Sequence, residues 1–423
     1  MDGIEFKKPQ IEIILWTVLG QLLGFATLPI LATLVGEELL GEYGAIASLV
    51  VFAAPIIALR SEVVTPPLLE AQRVSYGSLA ITTSMVIGVA SGACSLIYFG
   101  VGEGGVYIAT HALPITLLVF ASAVSMPFLG EATAQKKYKE IGFARVFWIG
   151  FGAVIQVLLV YLVGPSFAVM VYGLAISRIL GVWILSRATI TRRWKFNLKE
   201  WVDQIADIAK SHIHQILQGS SAAFFNGAAL HVPILLVGAL WGPGCAGQFY
   251  IANMLARGPS SIMVHGLNRV YCGKFAETKT DGRSALFKRQ CASNLLIGLL
   301  CLCPLALICP FLIDSFFGED WSLALQMFFV LLPAALLQLV ASPIAGTLLM
   351  MGKSKTQLRF DFARSAVALL GILACSQLDL GPVIGLMTYS LSMSGFDAGY
   401  LCITHREIKS QSVHIKHYVG NEA

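Results

Sequence analysis

Apolar residues in this chain run on for about twenty positions at a time, give way to a short polar break, and resume, over almost the whole length. A run of that length suits a helix crossing a bilayer core of roughly 30 Å, and the alternating short strands of a membrane barrel are missing. The pattern predicts an all-α bundle with twelve spans, at 11–35, 40–59, 78–99, 106–130, 141–163, 166–186, 213–240, 247–267, 291–313, 321–351, 361–377 and 382–404. Lys7 and Lys8 ahead of the first run imitate a signal peptide. No small-residue cleavage site follows and the run continues to Val35, so it reads as a retained first span.

The breaks are of two kinds. Those at 36–39, 100–105, 164–165, 241–246, 314–320 and 378–381 are short, hold Gly, Pro, Glu or Asp, and contain no Lys or Arg. The others carry Arg60 and Arg73, then Lys136, Lys137 and Lys139, then the basic 187–212 segment, then the group from Arg269 to Arg289, then Lys353, Lys355 and Arg359, and finally Arg406, Lys409 and Lys416. By the positive-inside rule the second set and both termini face the cytoplasm. The outer breaks are too short for a folded domain, which excludes an extracytoplasmic catalytic loop and disfavours, as an alternative, a membrane polymerase or ligase.

Composition agrees: 56% of residues are hydrophobic, 13% are charged and the mean hydropathy is +0.75. The net charge of +5 resides in connectors rather than in a solvated basic domain, so nucleic acid is not an expected partner. Nine cysteines show no disulfide or metal-ligand spacing and read as small packing residues, and neither metal nor cofactor is expected.

The two halves of the chain echo each other. Leu28-Pro-Ile-Leu31, a break and Gly41-Glu-Tyr-Gly are answered by Val232-Pro-Ile-Leu235, a break and Gly247-Gln-Phe-Tyr. Phe99-Gly100 is answered by Phe317-Gly318, Leu113-Pro114 by Leu332-Pro333, Pro127 by Pro343, and Phe143-Ala-Arg145 by Phe362-Ala-Arg364. Six spans per half make this a parallel repeat, the architecture of alternating-access transporters. The predicted organisation is an N-terminal lobe at 1–190, a cytoplasmic linker at 191–212, a C-terminal lobe at 213–405 and a tail at 406–423. The matched prolines Pro29 and Pro233, Pro114 and Pro333, and Pro127 and Pro343 interrupt helix hydrogen bonding at corresponding depths and permit bends.

Several of these elements resemble one family. Gly41-x-Tyr43 after its Gly-Glu-Glu break, Trp241-Gly-Pro-Gly with Gly247-x-Phe249-x-Ile251-Ala252, and Phe316-Phe-Gly-Glu-Asp-Trp321 before a long span ending in Gly352-Lys353 resemble the O-antigen-type polysaccharide flippases of the multidrug/oligosaccharidyl-lipid/polysaccharide exporter superfamily. The resemblance runs from about residue 11 to 405 and implies a fold like that of the multidrug exporters, with two six-helix lobes around a central cavity. It implies a transporter, not an enzyme, that moves a polyprenyl-diphosphate-linked oligosaccharide to the outer leaflet of the bacterial cytoplasmic (inner) membrane for lipopolysaccharide assembly. The partners it implies are the lipid-linked substrate, the bilayer, and the polysaccharide polymerase and chain-length machinery. Many members have fourteen spans; with twelve expected here, a lipid-tail groove built from the last pair is not carried over from the resemblance.

Four arginines fall within or at the edge of spans: Arg145, Arg178, Arg257 and Arg364. A cation at mid-membrane costs about 2.5–3.5 kcal/mol on insertion scales, so each calls for a partner, a wet cavity or a snorkelling route. Arg145 and Arg364 occupy equivalent places in the two halves. A planar guanidinium suits a diphosphate, while the alternative for Arg364 is a local pair with Asp361, three residues earlier. Arg178 and Arg257 lie deeper and are candidates to line a translocation cavity. Asp397, isolated in the last span, is either a coupling proton or cation site or a salt-bridge partner for a buried arginine. Gln156, Gln218, Asn226 and Asn253 suit sugar hydroxyls, and the same amides join helices in lipid, as do His111, His231 and His265. Glu12 and Glu62 sit at cytoplasmic span ends, where a solvated carboxylate is ordinary. A cation-coupled multidrug exporter is the rival reading of the fold, but its cargo calls for buried acids rather than arginines.

Overall fold

In lipid every backbone N–H and C=O must be satisfied within its own segment, and the chain responds with helix almost throughout. The computed structural model of the protein describes residues 8–66, 68, 70–107, 111–189, 221 and 224–420, and among these there is no strand. The helices are α1 (Lys8–Ile57), the short α2 (Ser61–Val64), α3 (Glu70–Tyr107), α4 (Leu113–Ala134), α5 (Tyr138–Val146), α6 (Gly152–Val163), α7 (Phe167–Thr189), α8 (Phe224–Trp241), α9 (Pro243–Glu277), α10 (Thr280–Phe316), α11 (Ser322–Ala341), the short α12 (Thr347–Met350), α13 (Ser354–Gln377) and α14 (Pro382–Gly420). A π-helical turn over Phe147–Phe151 joins α5 to α6 into one span. Two compact units are present, Met1–Gly247 and Gln248–Ala423. The expected linker at 191–212 lies outside the described residues.

The breaks between spans are narrower than the polar composition suggests. The first two expected spans run together as α1, and the whole break at 36–39 contracts to Gly36, with φ 74° and ψ 173°. The counterpart hairpin turns on Gly242 (φ 93°), followed by Pro243 at the first position of α9, where a missing N–H is harmless. Gly164, Gly318 and Asp379 supply the left-handed residue of three further breaks that lack Lys and Arg, and Lys136 and Gly352 that of two basic ones. The expected break at 100–105 is corrected: α3 stays helical to Tyr107 and α4 begins at Leu113. The intervening Val-Gly-Glu-Gly-Gly run contains no proline, so nothing in it removes a helix hydrogen bond.

Among the described residues, eight helices are long and apolar enough to cross a membrane, and the first, Leu15–Ile57, contains two of the expected spans. The three expected spans that are too polar to qualify are those in α9, α13 and α14. They carry Arg257, then Asp361 and Arg364, then Asp397.

The matched prolines diverge in effect. Pro127 sits within the unbroken α4, whereas Pro343 ends α11 in a 3₁₀ turn, Ser342–Ile344. Side chains from neighbouring helices take up the carbonyls this break releases. Asn294 Nδ2 donates to the Val340 carbonyl at 3.1 Å, Asn268 Nδ2 to that of Pro343 at 2.9 Å, and the Tyr400 hydroxyl to that of Ala345 at 2.7 Å.

Glycines set the closest packing. In the first unit Gly142 seats Trp16 and Gly150 seats Leu23, bringing the start of α1 against the fifth span. Gly41 and Gly247, counterparts in the repeat, make a reciprocal contact. A Cβ at Gly41 would collide with the Pro243 carbonyl oxygen, and one at Gly247 with the Glu37 carbonyl oxygen, so each glycine rests on the carbonyl four residues before the other. The Gly41→Ala and Gly247→Ala variants should each lose about 1–3 kcal/mol by forcing these backbones apart. A lowered thermal midpoint of the purified protein in detergent is the expected reading, with Gly381→Ala, where a Cβ meets open space, unchanged.

Candidate functional site

Four of the nine residues singled out from the sequence, Asn253, Arg257, Arg364 and Asp397, stand in a polar setting in the second unit, and Arg178 stands in an aromatic one in the first. In the second unit α9, α13 and α14 enclose a cluster of charges. Arg364 donates from Nη1 to Asp397 Oδ1 at 3.1 Å, and its Nη2 lies 3.4 Å from Asp361 Oδ1. The side chains of Arg364, Asp361 and Asp397 are 11%, 7% and 2% exposed, so this is a dry ion triad. Asp361 is further fixed by Gln357, whose Nε2 donates to Oδ2 at 3.0 Å. Both alternatives raised for Arg364 and Asp397 as mutual or local partners therefore occur together in one geometry. Arg257, on α9, donates to the Tyr389 hydroxyl at 2.6 Å and lies 5.8 Å from that ring's centroid. It also acts electrostatically on Asp397. Two arginines and two carboxylates balance.

Around this cluster several buried acceptors lack a hydrogen-bond partner among the described residues: Asn253 Oδ1, one turn before Arg257, and Ser390 Oγ, Ser394 Oγ and Asp397 Oδ2 along one face of α14. On the far side of α14, Leu391, Gly395, Phe396 and Gly399 with Phe360 of α13 line a shallow apolar groove.

The first unit holds a different arrangement. Arg178 lies at the midpoint of α7, eleven residues from either end, about 16 Å by helix rise, which is beyond the reach of a snorkelling side chain. Among the described residues it makes no ion pair, and its Nε is buried without a hydrogen-bond partner. What touches it is aromatic: its guanidinium carbon stands 5.5 Å from the Trp148 ring centroid, and buried Tyr43 interacts with it electrostatically.

The remaining residues are placed elsewhere. Arg145 is half-buried on α5 and engaged in a contact of its own, as is Asn226, exposed on α8. Gln156 is buried at 3% exposure and donates to the Met170 carbonyl at 2.8 Å, where it joins α6 to α7. His111 stacks on Phe167 with ring centroids 5.3 Å apart. Gln218 and the side chains of Glu12 and His265 lie outside the described residues.

One cluster corrects an expectation: Glu62, read as a solvated carboxylate, has a side chain only 15% exposed. At the end of α1, Leu59 and Arg60 both take left-handed φ (52° and 55°), held by the Tyr76 hydroxyl donating to the Leu59 carbonyl at 2.6 Å. Beside them Arg60 pairs with Glu62 at 3.4 Å, and Arg73 of α3 approaches Glu131 of α4 at 3.5 Å, with Gln135 Nε2 donating to Glu131 at 2.7 Å. Burial pushes the Glu62 carboxyl above its ordinary range, and the Arg60 guanidinium pulls it partly back. These charges adjoin basic connectors, where positive-inside counting had already explained them.

The sequence model of the family described as polysaccharide biosynthesis protein matches residues 78–326, more than half of the chain. No curated protein matches. Among solved structures, an inward-facing multidrug-resistance MATE transporter of the MOP superfamily superposes with a TM-score of 0.69 at 13% identity, covering 92% of this chain and 95% of that one. A MATE protein in complex with MaD3S gives 0.64 at 13% identity over 95% and 96%. A MOP superfamily transporter from Pyrococcus furiosus, described as having a binding pocket of reverse polarity that suggests a different function, gives 0.63 at 14% identity over 95% and 96%. The likeness to these structures establishes the fold, and the sequence match establishes the family: the chain belongs to the polysaccharide biosynthesis proteins and is a multi-pass membrane protein with the MOP-superfamily fold.

Proposed function

We propose that the protein flips a polyprenyl-diphosphate-linked oligosaccharide from the cytoplasmic to the outer leaflet of a bacterial cytoplasmic membrane by alternating access, for surface polysaccharide of the O-antigen type. The observation that carries this reading is Arg178. A permanently charged guanidinium at the centre of a spanning helix, with no carboxylate of its own among the described residues, is left with its charge for an anion that arrives and leaves. A diphosphate meets that need with several oxygens at once. Arg257, hydrogen-bonded to the Tyr389 phenol and sharing the field of Asp397, is the candidate in the second unit, and Asn253 beside it offers an acceptor for a sugar hydroxyl that has no partner among the described residues. No covalent step is required, and outward movement of two negative charges gains about 2.3 kcal/mol per charge per 100 mV from an inside-negative potential.

The multidrug-exporter alternative is disfavoured by the same geometry. A cationic cargo needs available carboxylates, and Asp361 and Asp397 are both committed to Arg364. Asp397 retains one unpartnered oxygen, which suits a coupling proton or cation rather than a bulky cargo.

Two measurements test these assignments. Replacing Arg178 with Ala removes charge-assisted bonds of about 1.5–3 kcal/mol and should reduce surface polysaccharide about tenfold or more in cells relying on this gene, at unchanged protein level. Normal display for both Arg178→Ala and Arg257→Ala would end the reading. For the triad, Asp397→Ala strands part of a buried charge and should destabilise the protein by up to about 3–5 kcal/mol, and Arg364→Ala likewise. The double variant should lose clearly less than the sum in thermal unfolding, the mark of a direct pair.

A further inference from the structure

Arg178 is held in place by a surface that carries no charge. Trp148 is 7% exposed and belongs to a packed cluster with Val124, Phe128, Ala132, Ile141, Ala144 and Leu185, which pack around its ring. It lies in the π-helical turn Phe147–Phe151, whose extra residue shifts the side-chain register of the fifth span. Its indole edge rests against Gly181, three residues beyond Arg178 on the same face of α7, where any Cβ would collide with Nε1. One turn away Gly152 packs against Ser177, and a Cβ there would stand 2.8 Å from the hydroxyl oxygen. The π turn and these two glycines therefore lay the indole face beneath the guanidinium.

The cost of this arrangement is visible. The Trp148 Nε1 is buried with no acceptor among the described residues. A phenylalanine would fill the apolar slot without stranding a donor, so packing alone gives no reason for tryptophan. The face of the indole does give one, because tryptophan is the strongest of the aromatic partners for a cation.

We infer that Trp148 is a positioning residue for anion recognition: it carries Arg178 on its ring face and so leaves the guanidinium N–H groups directed at a phosphate-bearing ligand. A carboxylate in the same place would hold the arginine equally well but would compete with the ligand for its donors. The inference rests on the reading that Arg178 meets the diphosphate, and the experiment separates the two.

Equilibrium binding of farnesyl diphosphate to the purified full-length protein in detergent, with farnesol as the uncharged control, is measured for Arg178→Ala, Trp148→Phe, Trp148→Leu and the double variant Trp148→Leu/Arg178→Ala. Removal of Arg178 should weaken binding at least about tenfold. Trp148→Phe should weaken it by about two- to tenfold, the span of a cation–π contact, while its thermal midpoint stays at or above that of the parent protein because the stranded N–H is gone. The double variant should bind no more weakly than Arg178→Ala, since the ring acts through the arginine. Should Trp148→Leu fold poorly, Gly181→Ala displaces the same ring from the other side and should reproduce the loss. Parent-like binding by both Trp148 variants, or an additive loss in the double variant, overturns the positioning role while leaving the diphosphate reading intact. Parent-like binding by Arg178→Ala overturns the reading itself.

Discussion

A charge surrounded by hydrocarbon has to be neutralised, hydrated or carried to the interface, and the fates of the buried arginines in this protein follow from that constraint. Arg364 is neutralised twice over, by Asp361 and Asp397. Arg257 leans on a phenol. Among the described residues Arg178 meets aromatic faces and no carboxylate, at the middle of a helix. The ordering from fully to barely compensated is also an ordering of how much charge each leaves for something else to use.

The polar helices of the second unit show the same constraint acting on architecture. α9, α13 and α14 are too polar to pass as spans by hydropathy, yet they pair their charges with one another. Their insertion is tolerable because the charges come as a balanced set, and breaking any member would expose the others to the full penalty. Backbone polar groups are handled likewise: the Pro343 break survives because Asn268, Asn294 and Tyr400 reach its carbonyls, whereas Pro127, its partner in the repeat, remains in an unbroken helix. A repeat in sequence thus fixes where a proline stands, and the neighbours decide whether the helix breaks there.

Span number, the all-helical class and the hairpin glycines were legible in the sequence because period, length and turn chemistry are local. The break at 100–105 was misplaced because glycine and glutamate mark a turn in water but do not end a helix whose hydrogen bonds have no competitor. Asp361 and Arg364 could be paired from their spacing of three residues; Asp397, thirty-three residues beyond Arg364, could be offered as a partner but not assigned to one. Trp148 left no mark in the sequence. Its significance depends on a π turn and on Gly181, and neither is visible until two helices are set side by side.

That dependence has a physical consequence for how specificity is built in such a membrane protein. A cation poised by a carboxylate is stable but saturated, and it releases its donors only when the pair breaks. A cation poised by an aromatic face is less stable by the difference between an ion pair and a cation–π contact, about 0.5–2 kcal/mol for the latter, and keeps its donors free. Arg364 and Arg178 represent these two solutions within one chain, the first suited to holding helices together and the second to meeting an anion. The stranded Trp148 N–H and the glycines cleared for the ring are then the structural cost of keeping Arg178 in the second condition.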